Sequence, residues 1–187
     1  QSGGSTSVNE SGTTDTFTIV LDAQPASDVV LNITSSDTGE ATVTSPLTFT
    51  SANWNSAQTV TVTGVDDNII DGTITSTITV AVNDGSSDNN FDSVNDQTVS
   101  VTTTDDDVAG FTITESGGST SVAETGTTDT FTVVLTAQPS ENVVLQFVSG
   151  DTGEATVTGT LTFTSGNWDT AQTVTVTGVD DNLIDGT

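Results

Sequence analysis

Slid along itself by 114 residues, the chain falls into register: SGGSTSV recurs at 2 and 116, GTTDTFT at 12 and 126, DTGEATVT at 37 and 151, and LTFTS at 47 and 161. Residues 1–73 align with 115–187 without a gap, at roughly three quarters identity. Self-similarity at a fixed period means one structural unit used more than once, so any fold proposed for this chain must fit within 114 residues. The period is close to the roughly 100 residues of an immunoglobulin-like sandwich, which points to one domain per repeat. The expected boundaries are 1–107 and 108–187, the first domain short of its opening strand and the second short of its last strands. The second copy has no counterpart of Ile74–Asp107, and the first has none of Val108–Thr114. A slice through a longer array has this form. The alternative is a subunit that leaves its second domain open and is completed by strands from a neighbouring chain, giving a head-to-tail filament.

Within each repeat, apolar and polar residues alternate. Phe17, Ile19 and Leu21 share one parity, as do Val29, Leu31 and Ile33, Leu47 and Phe49, Val60 and Val62, and Val99 and Val101. A period of two is the mark of a half-buried strand, and Thr suits the intervening solvent face. No stripe of helical period is present. The pattern predicts an all-β chain of tandem antiparallel sandwiches, with strands near 14–22, 28–35, 41–50, 57–65, 73–82, 97–104 and 110–114. Trp54 and Trp168, in the turns SANWN and SGNWD, read as plugs closing one end of each core.

Composition decides which partners such a sandwich takes. The 187 residues include 26 Asp and Glu and no Lys, Arg or His, a formal net charge of −26 with no internal counter-charge. Phosphate backbones are excluded, since binding them needs Lys and Arg, and docking on anionic membrane surfaces is disfavoured. With hydrophobic residues at 32% and charged residues at 14%, the chain is not a disordered acidic tail. It has no Cys, no run near the ~20 apolar residues needed to cross a bilayer, and no signal peptide in QSGGSTSV. Metal cations are the partners the charge calls for.

The acids are also clustered. Asp66, Asp67 and Asp71 lie in GVDDNIIDG, a loop that recurs as GVDDNLIDG with Asp180, Asp181 and Asp185; Asp105, Asp106 and Asp107 are consecutive. Neighbouring carboxylates repel, and burial raises their pKa or destabilises the fold. A divalent ion relieves both effects. Calcium accepts six to eight oxygens in flexible geometry where magnesium demands a tight octahedron, so acidic loops favour calcium. Asp84, Asp88, Asp92 and Asp96, in NDGSSDNNFDSVNDQ, read instead as solvated turns.

The stretches SVNESGTTDTFTIVL, LTFTSANWNSAQTVTVTGVDDNIIDG and TTTDDDVAGFTIT together resemble Calx-beta domains, the calcium-binding sandwiches of sodium–calcium exchangers and of tandem arrays in bacterial surface proteins. The resemblance implies calcium at one end of the sandwich. The implied ligands are Glu10; Glu40, with Asp37 competing; Asp66, Asp67 and Asp71; and Asp105 to Asp107. Repeat two supplies Glu124, Glu154, Asp180, Asp181 and Asp185. The loop continues as IIDG where exchanger domains carry further acids, which leaves ion number and affinity open.

Only Val108 and Ala109 separate the acidic run from the next strand, too few for a flexible tether. The leading expectation is a non-enzymatic, extracellular or cell-surface structural repeat of a bacterial surface fibre or adhesin, stiffened by calcium where neighbouring repeats meet head to tail. Two further readings stand beside it: the filament completed by a neighbouring chain, and a binding module for surface glycans. Outward Thr59, Thr61 and Thr63 would serve the latter as a ligand face or as glycan carriers, and Asn9-Glu-Ser11 and Asn32-Ile-Thr34 are weak glycosylation matches. Catalysis is disfavoured because His, Cys, Lys, Arg and Tyr are all absent, leaving only paired carboxylates.

Overall fold

The computed structural model describes residues 5–181. They form strands and short turns, divided into two compact units. Unit 1 holds the chain up to Asp67 together with Asp71–Asp106; unit 2 holds Asn68–Ile70 and the chain from Asp107 onward.

Unit 1 contains β1 (Thr6–Asn9), β2 (Thr14–Ile19), β3 (Val29–Ser35), β4 (Ala41–Val43), β5 (Leu47–Phe49), β6 (Gln58–Gly64), β7 (Ile74–Val82) and β8 (Gln97–Thr104). Five strands, in the order β1-β8-β7-β3-β5, make one sheet, and β2-β6-β4 make the other. The alternating apolar positions of both sheets meet between them. Val8, Ile33, Ile78 and Val101 come from the larger sheet, Phe17, Ala41, Val60 and Val62 from the smaller, and all eight are buried. A satellite cluster of Val29, Leu31 and Phe49 extends this core. Two faces that each bury every second residue against the other define a β-sandwich.

Two features depart from the sequence-based expectation. Not every pairing is antiparallel, since β1 runs parallel to β8, with Thr6 opposite Val101 and Val8 opposite Thr103. The single strand expected over 41–50 is two strands in different sheets, Ala41–Val43 beside β6 and Leu47–Phe49 beside β3. The switch falls at Thr44-Ser45-Pro46, where Pro46 follows a cis bond.

Unit 2 contains β9 (Phe111–Glu115), β10 (Thr128–Leu135), β11 (Val143–Gln146), β12 (Ala155–Val157), β13 (Thr160–Phe163) and β14 (Gln172–Gly178). Its sheets are β12-β14-β10-β9 and β11-β13. Val133, Leu135, Phe163 and Val174 are the buried core, with Phe131, Phe147 and Trp168 packed against it. The Trp turns are built alike in both units. Asn53 Oδ1 accepts the Thr50 N–H, and the Trp54 carbonyl accepts from Leu21 N–H; Asn167, Thr164, Trp168 and Leu135 repeat the arrangement.

Candidate metal centre

Three chain segments bring acids together at one end of unit 1. Glu10 follows β1, and its N–H donates to the Thr104 carbonyl at the end of β8 (3.2 Å), so the parallel pairing sets it next to the acidic run. Glu40 precedes β4, and its carbonyl accepts from Val65 N–H (2.9 Å) as β6 enters the acidic loop. Asp71 lies in that loop, whose Gly72 N–H donates to Asp105 Oδ2 (2.9 Å). Gly64 lets these segments approach: a Cβ there would overlap the Asn9 carbonyl oxygen, so only glycine allows β1 to cross the end of β6.

The result is a cluster in which one carboxylate oxygen each of Glu10, Glu40 and Asp71 lies within 4.8 Å of the others. Glu10 is 1% exposed and Glu40 6% exposed, while Asp71 reaches solvent. Neither carboxylate oxygen of Glu10 has a hydrogen-bond partner, and Oε2 of Glu40 has none. Burial pushes the Glu10 carboxyl up to about 7, with the charges of Asp105, Glu40, Asp71 and Asp67 adding to it. Burial likewise raises Glu40, followed by the charges of Asp71, Asp37 and Asp67 and a hydrogen bond shared with Asp71.

Buried polar groups are almost always hydrogen-bonded, so an orphaned, buried carboxylate surrounded by others fits a site built for a cation. The donor set is all oxygen, with no imidazole or thiolate, which suits a hard ion such as calcium rather than zinc.

The other sequence-based candidates fall as follows. Asp67 is half-buried and near enough to raise both glutamates, whereas Asp66 and Asp106 are exposed. Asp105 adjoins Glu10 within unit 1; Asp107 is the first residue of unit 2 beyond the boundary. Between Glu40 and Asp37, Glu40 joins the cluster, while Asp37 is exposed and accepts its own turn's Gly39 N–H (3.0 Å).

In unit 2 two of these backbone contacts recur but the burial does not. Glu154 accepts from Val179 N–H (2.8 Å) as Glu40 does from Val65, and Gly178 lies against the Ala123 carbonyl as Gly64 does against Asn9. Yet Glu124 is only half-buried, Glu154 and Asp180 are exposed, and Asp181 is intermediate; Asp185 lies outside the described residues. Among the described residues, the acids of the second repeat form no cluster like that of Glu10, Glu40 and Asp71.

One acid corrects the sequence-based reading. Asp88 is no solvated turn residue, being 5% exposed. Its Oδ2 accepts from Ala26 N–H (2.6 Å) and Ser27 N–H (3.1 Å), and its Oδ1 accepts from the backbone and side-chain N–H groups of Asn90. These donors, the Asn90 backbone first, hold its carboxyl below the usual range. The only local sequence signal was the Asx-turn pattern DNN; the partners 61 and 62 residues away gave none.

No family model matches the chain, and no curated protein matches it in sequence. Among solved structures, the calcium binding domain CBD12 of CALX1.1 aligns with 13% identity and a TM-score of 0.37, over 96% of this chain and 75% of that one. The E. coli chaperone DraB aligns with 9% identity and a TM-score of 0.40, over 96% and 84%. Domains 5-6 of the S-layer protein SbsC align with 19% identity and a TM-score of 0.35, over 94% and 80%. Likenesses of this degree say nothing about chemistry.

Proposed function

We propose that unit 1 is a calcium-binding structural repeat in which Glu10, Glu40 and Asp71 hold the ion and Asp67 and Asp105 deepen the negative field around it. The observation that carries this reading is Glu10, buried to 1% exposure with both carboxylate oxygens unpartnered. Leaving a buried acceptor unsatisfied is costly, and leaving a buried charge unpaired costs more. When bound, the cation supplies the positive charge that a chain without Lys, Arg or His lacks.

The protein's own contribution is placement. The parallel β1–β8 pair fixes Glu10, the β4–β6 pair fixes Glu40, and the hydrogen bond from Gly72 to Asp105 holds the loop bearing Asp71. Together they turn three distant stretches of sequence into one oxygen-lined site. We read the role as structural rather than catalytic: His, Cys, Lys, Arg and Tyr are absent, and the clustered carboxylates that remain are accounted for as ligands of the ion. A module stabilised by calcium belongs where that ion is plentiful, outside the cell, as one link in a repeat array stiffened by bound ions.

Calcium titration by calorimetry tests the reading. We expect a binding event that Glu10→Gln and Glu40→Gln abolish and that Glu124→Gln leaves in place. An isotherm indifferent to Glu10→Gln overturns it.

A further inference from the structure

Three Asp-Gly pairs occur in the sequence, at 71–72, 84–85 and 185–186. The last lies outside the described residues. An aspartate followed by glycine has a covalent reaction open to it that bulkier neighbours hinder: the next backbone nitrogen can attack the side-chain carboxyl, because no Cβ stands in the way. Backbone pinned in a helical turn or a ladder cannot bring the two atoms together, so the surroundings of each pair decide whether it reacts.

The two described pairs differ. Asp84 and Gly85 sit in a 3-10 turn, Asp84–Ser86, closed by hydrogen bonds from Ser86 N–H to the Asn83 carbonyl (2.9 Å) and from Ser87 N–H to the Asp84 carbonyl (3.5 Å). Asp71 and Gly72 are exposed and lie in no regular element, just ahead of β7. Gly72 has a φ of +76°, and a Cβ built there would meet nothing within 4 Å, so open space surrounds it. Its N–H donates to Asp105 Oδ2 at 2.9 Å. That carboxylate oxygen is already placed to take the amide hydrogen as the nitrogen attacks.

We propose that Asp71 is a site of spontaneous covalent modification, closing to a succinimide with Gly72 and reopening as isoaspartate, with Asp105 accepting the Gly72 hydrogen. In the first step a bond forms between the Gly72 nitrogen and Asp71 Cγ while the Cγ–Oδ bond breaks; the amide hydrogen and the carboxyl hydrogen leave with that oxygen as one molecule of water. In the second, water adds back either at Cγ, restoring aspartate, or at the Asp71 carbonyl carbon, which routes the backbone through Cγ. The isoaspartyl product has a backbone longer by one atom and a carboxylate shorter by one carbon. It draws that carboxylate away from the Glu10 and Glu40 oxygens that Asp71 meets. One consequence rests on the reading of Asp71 as a calcium ligand: a bound ion occupies the carboxyl and blocks the first step, so loss of the ion starts a slow loss of its site.

The test incubates the full chain at neutral pH in chelator, in water enriched in heavy oxygen, since each passage through the succinimide leaves a heavy oxygen in the residue. Trypsin has no site in a chain without Lys or Arg, so an Asp-specific protease releases the fragments for mass spectrometry, and isoaspartyl methyltransferase with labelled S-adenosylmethionine measures the product. We expect uptake at Asp71 to exceed that at Asp84 by at least about tenfold, and to fall by about tenfold in Asp105→Asn, which keeps an oxygen for the Gly72 N–H but is no base. Gly72→Ala, whose Cβ shields the nitrogen, should slow it as well. The proposal is overturned if Asp71 takes up no heavy oxygen, if Asp84 is labelled as fast, or if Asp105→Asn reacts at the native rate. Added calcium should suppress the label at Asp71; equal rates in calcium and chelator would count against Asp71 as a ligand, while the isomerisation itself is decided in chelator alone.

Discussion

Glu10→Gln changes one atom of a buried side chain and should reverse its effect on stability with solution conditions. The carboxyl is held at about 7 in the folded protein against an ordinary 4.5. Its folded pKa is raised, so in chelator the stability of unit 1 is fully present below about pH 4.5, falls as pH climbs through the interval, and is fully reduced above about 7. The shift is 7 − 4.5 = 2.5 units, which at 1.36 kcal/mol per unit is about 3 kcal/mol, of which about 2.5 kcal/mol falls between pH 5 and 8. For a domain of this size that corresponds to roughly 10–20 °C in melting temperature.

The E10Q protein has no carboxyl at this position to ionise, so its stability in chelator should be nearly flat over the same range, save for the smaller slope from Glu40. In calcium the order inverts: the native protein gains stability by mass action and the variant does not. A Trp168→Phe background leaves Trp54 as the sole indole, so urea denaturation followed by its fluorescence reports unit 1. Equal pH slopes for native and E10Q proteins in chelator would refute the reasoning, because Glu10 would then not be the group that opposes folding.

Further expectations share this frame. Gly64→Ala should destabilise unit 1 by about 1–3 kcal/mol and weaken calcium binding, because a Cβ there overlaps the Asn9 carbonyl and must push Glu10 aside. Gly178→Ala meets the Ala123 carbonyl in the same way, but that segment is held in no strand and yields, so calorimetric melting should show the smaller loss. Asp88→Asn should lower the urea midpoint of unit 1 at neutral pH; because the Asp88 pKa is depressed, the difference should close as pH falls below the ordinary carboxylate range. If bound ions stiffen the array, small-angle scattering should give a longer maximum dimension in calcium than in chelator, and equal dimensions would argue against a mechanical role.

The parts of this fold that were legible in sequence are those governed by local chemistry. Alternation placed β3, β6, β7 and β8 within a residue or so, because a period of two has one meaning along a half-buried strand. The splitting of 41–50 was hidden because both halves alternate properly, and only the choice of partner strand sends them to different sheets.

The acidic loop is visible in sequence as a cluster, but Glu10 is implied only by the family resemblance. What buries it is a parallel pairing with residues about 95 positions later, and no local pattern encodes that. The contrast between Thr6–Val8 and Thr120–Val122 makes the same point: an identical tripeptide is a strand only where β8 lies beside it. The burial of Asp88 is hidden for a related reason, its donors at 26 and 27 being remote in sequence and adjacent in space.

The most direct test of the central claim is a crystal structure grown in calcium, with an anomalous difference map to locate the ion. We expect a peak about 2.3–2.6 Å from carboxylate oxygens of Glu10, Glu40 and Asp71. A map with no peak there, and with Glu10 buried and protonated among the same neighbours, would contradict it.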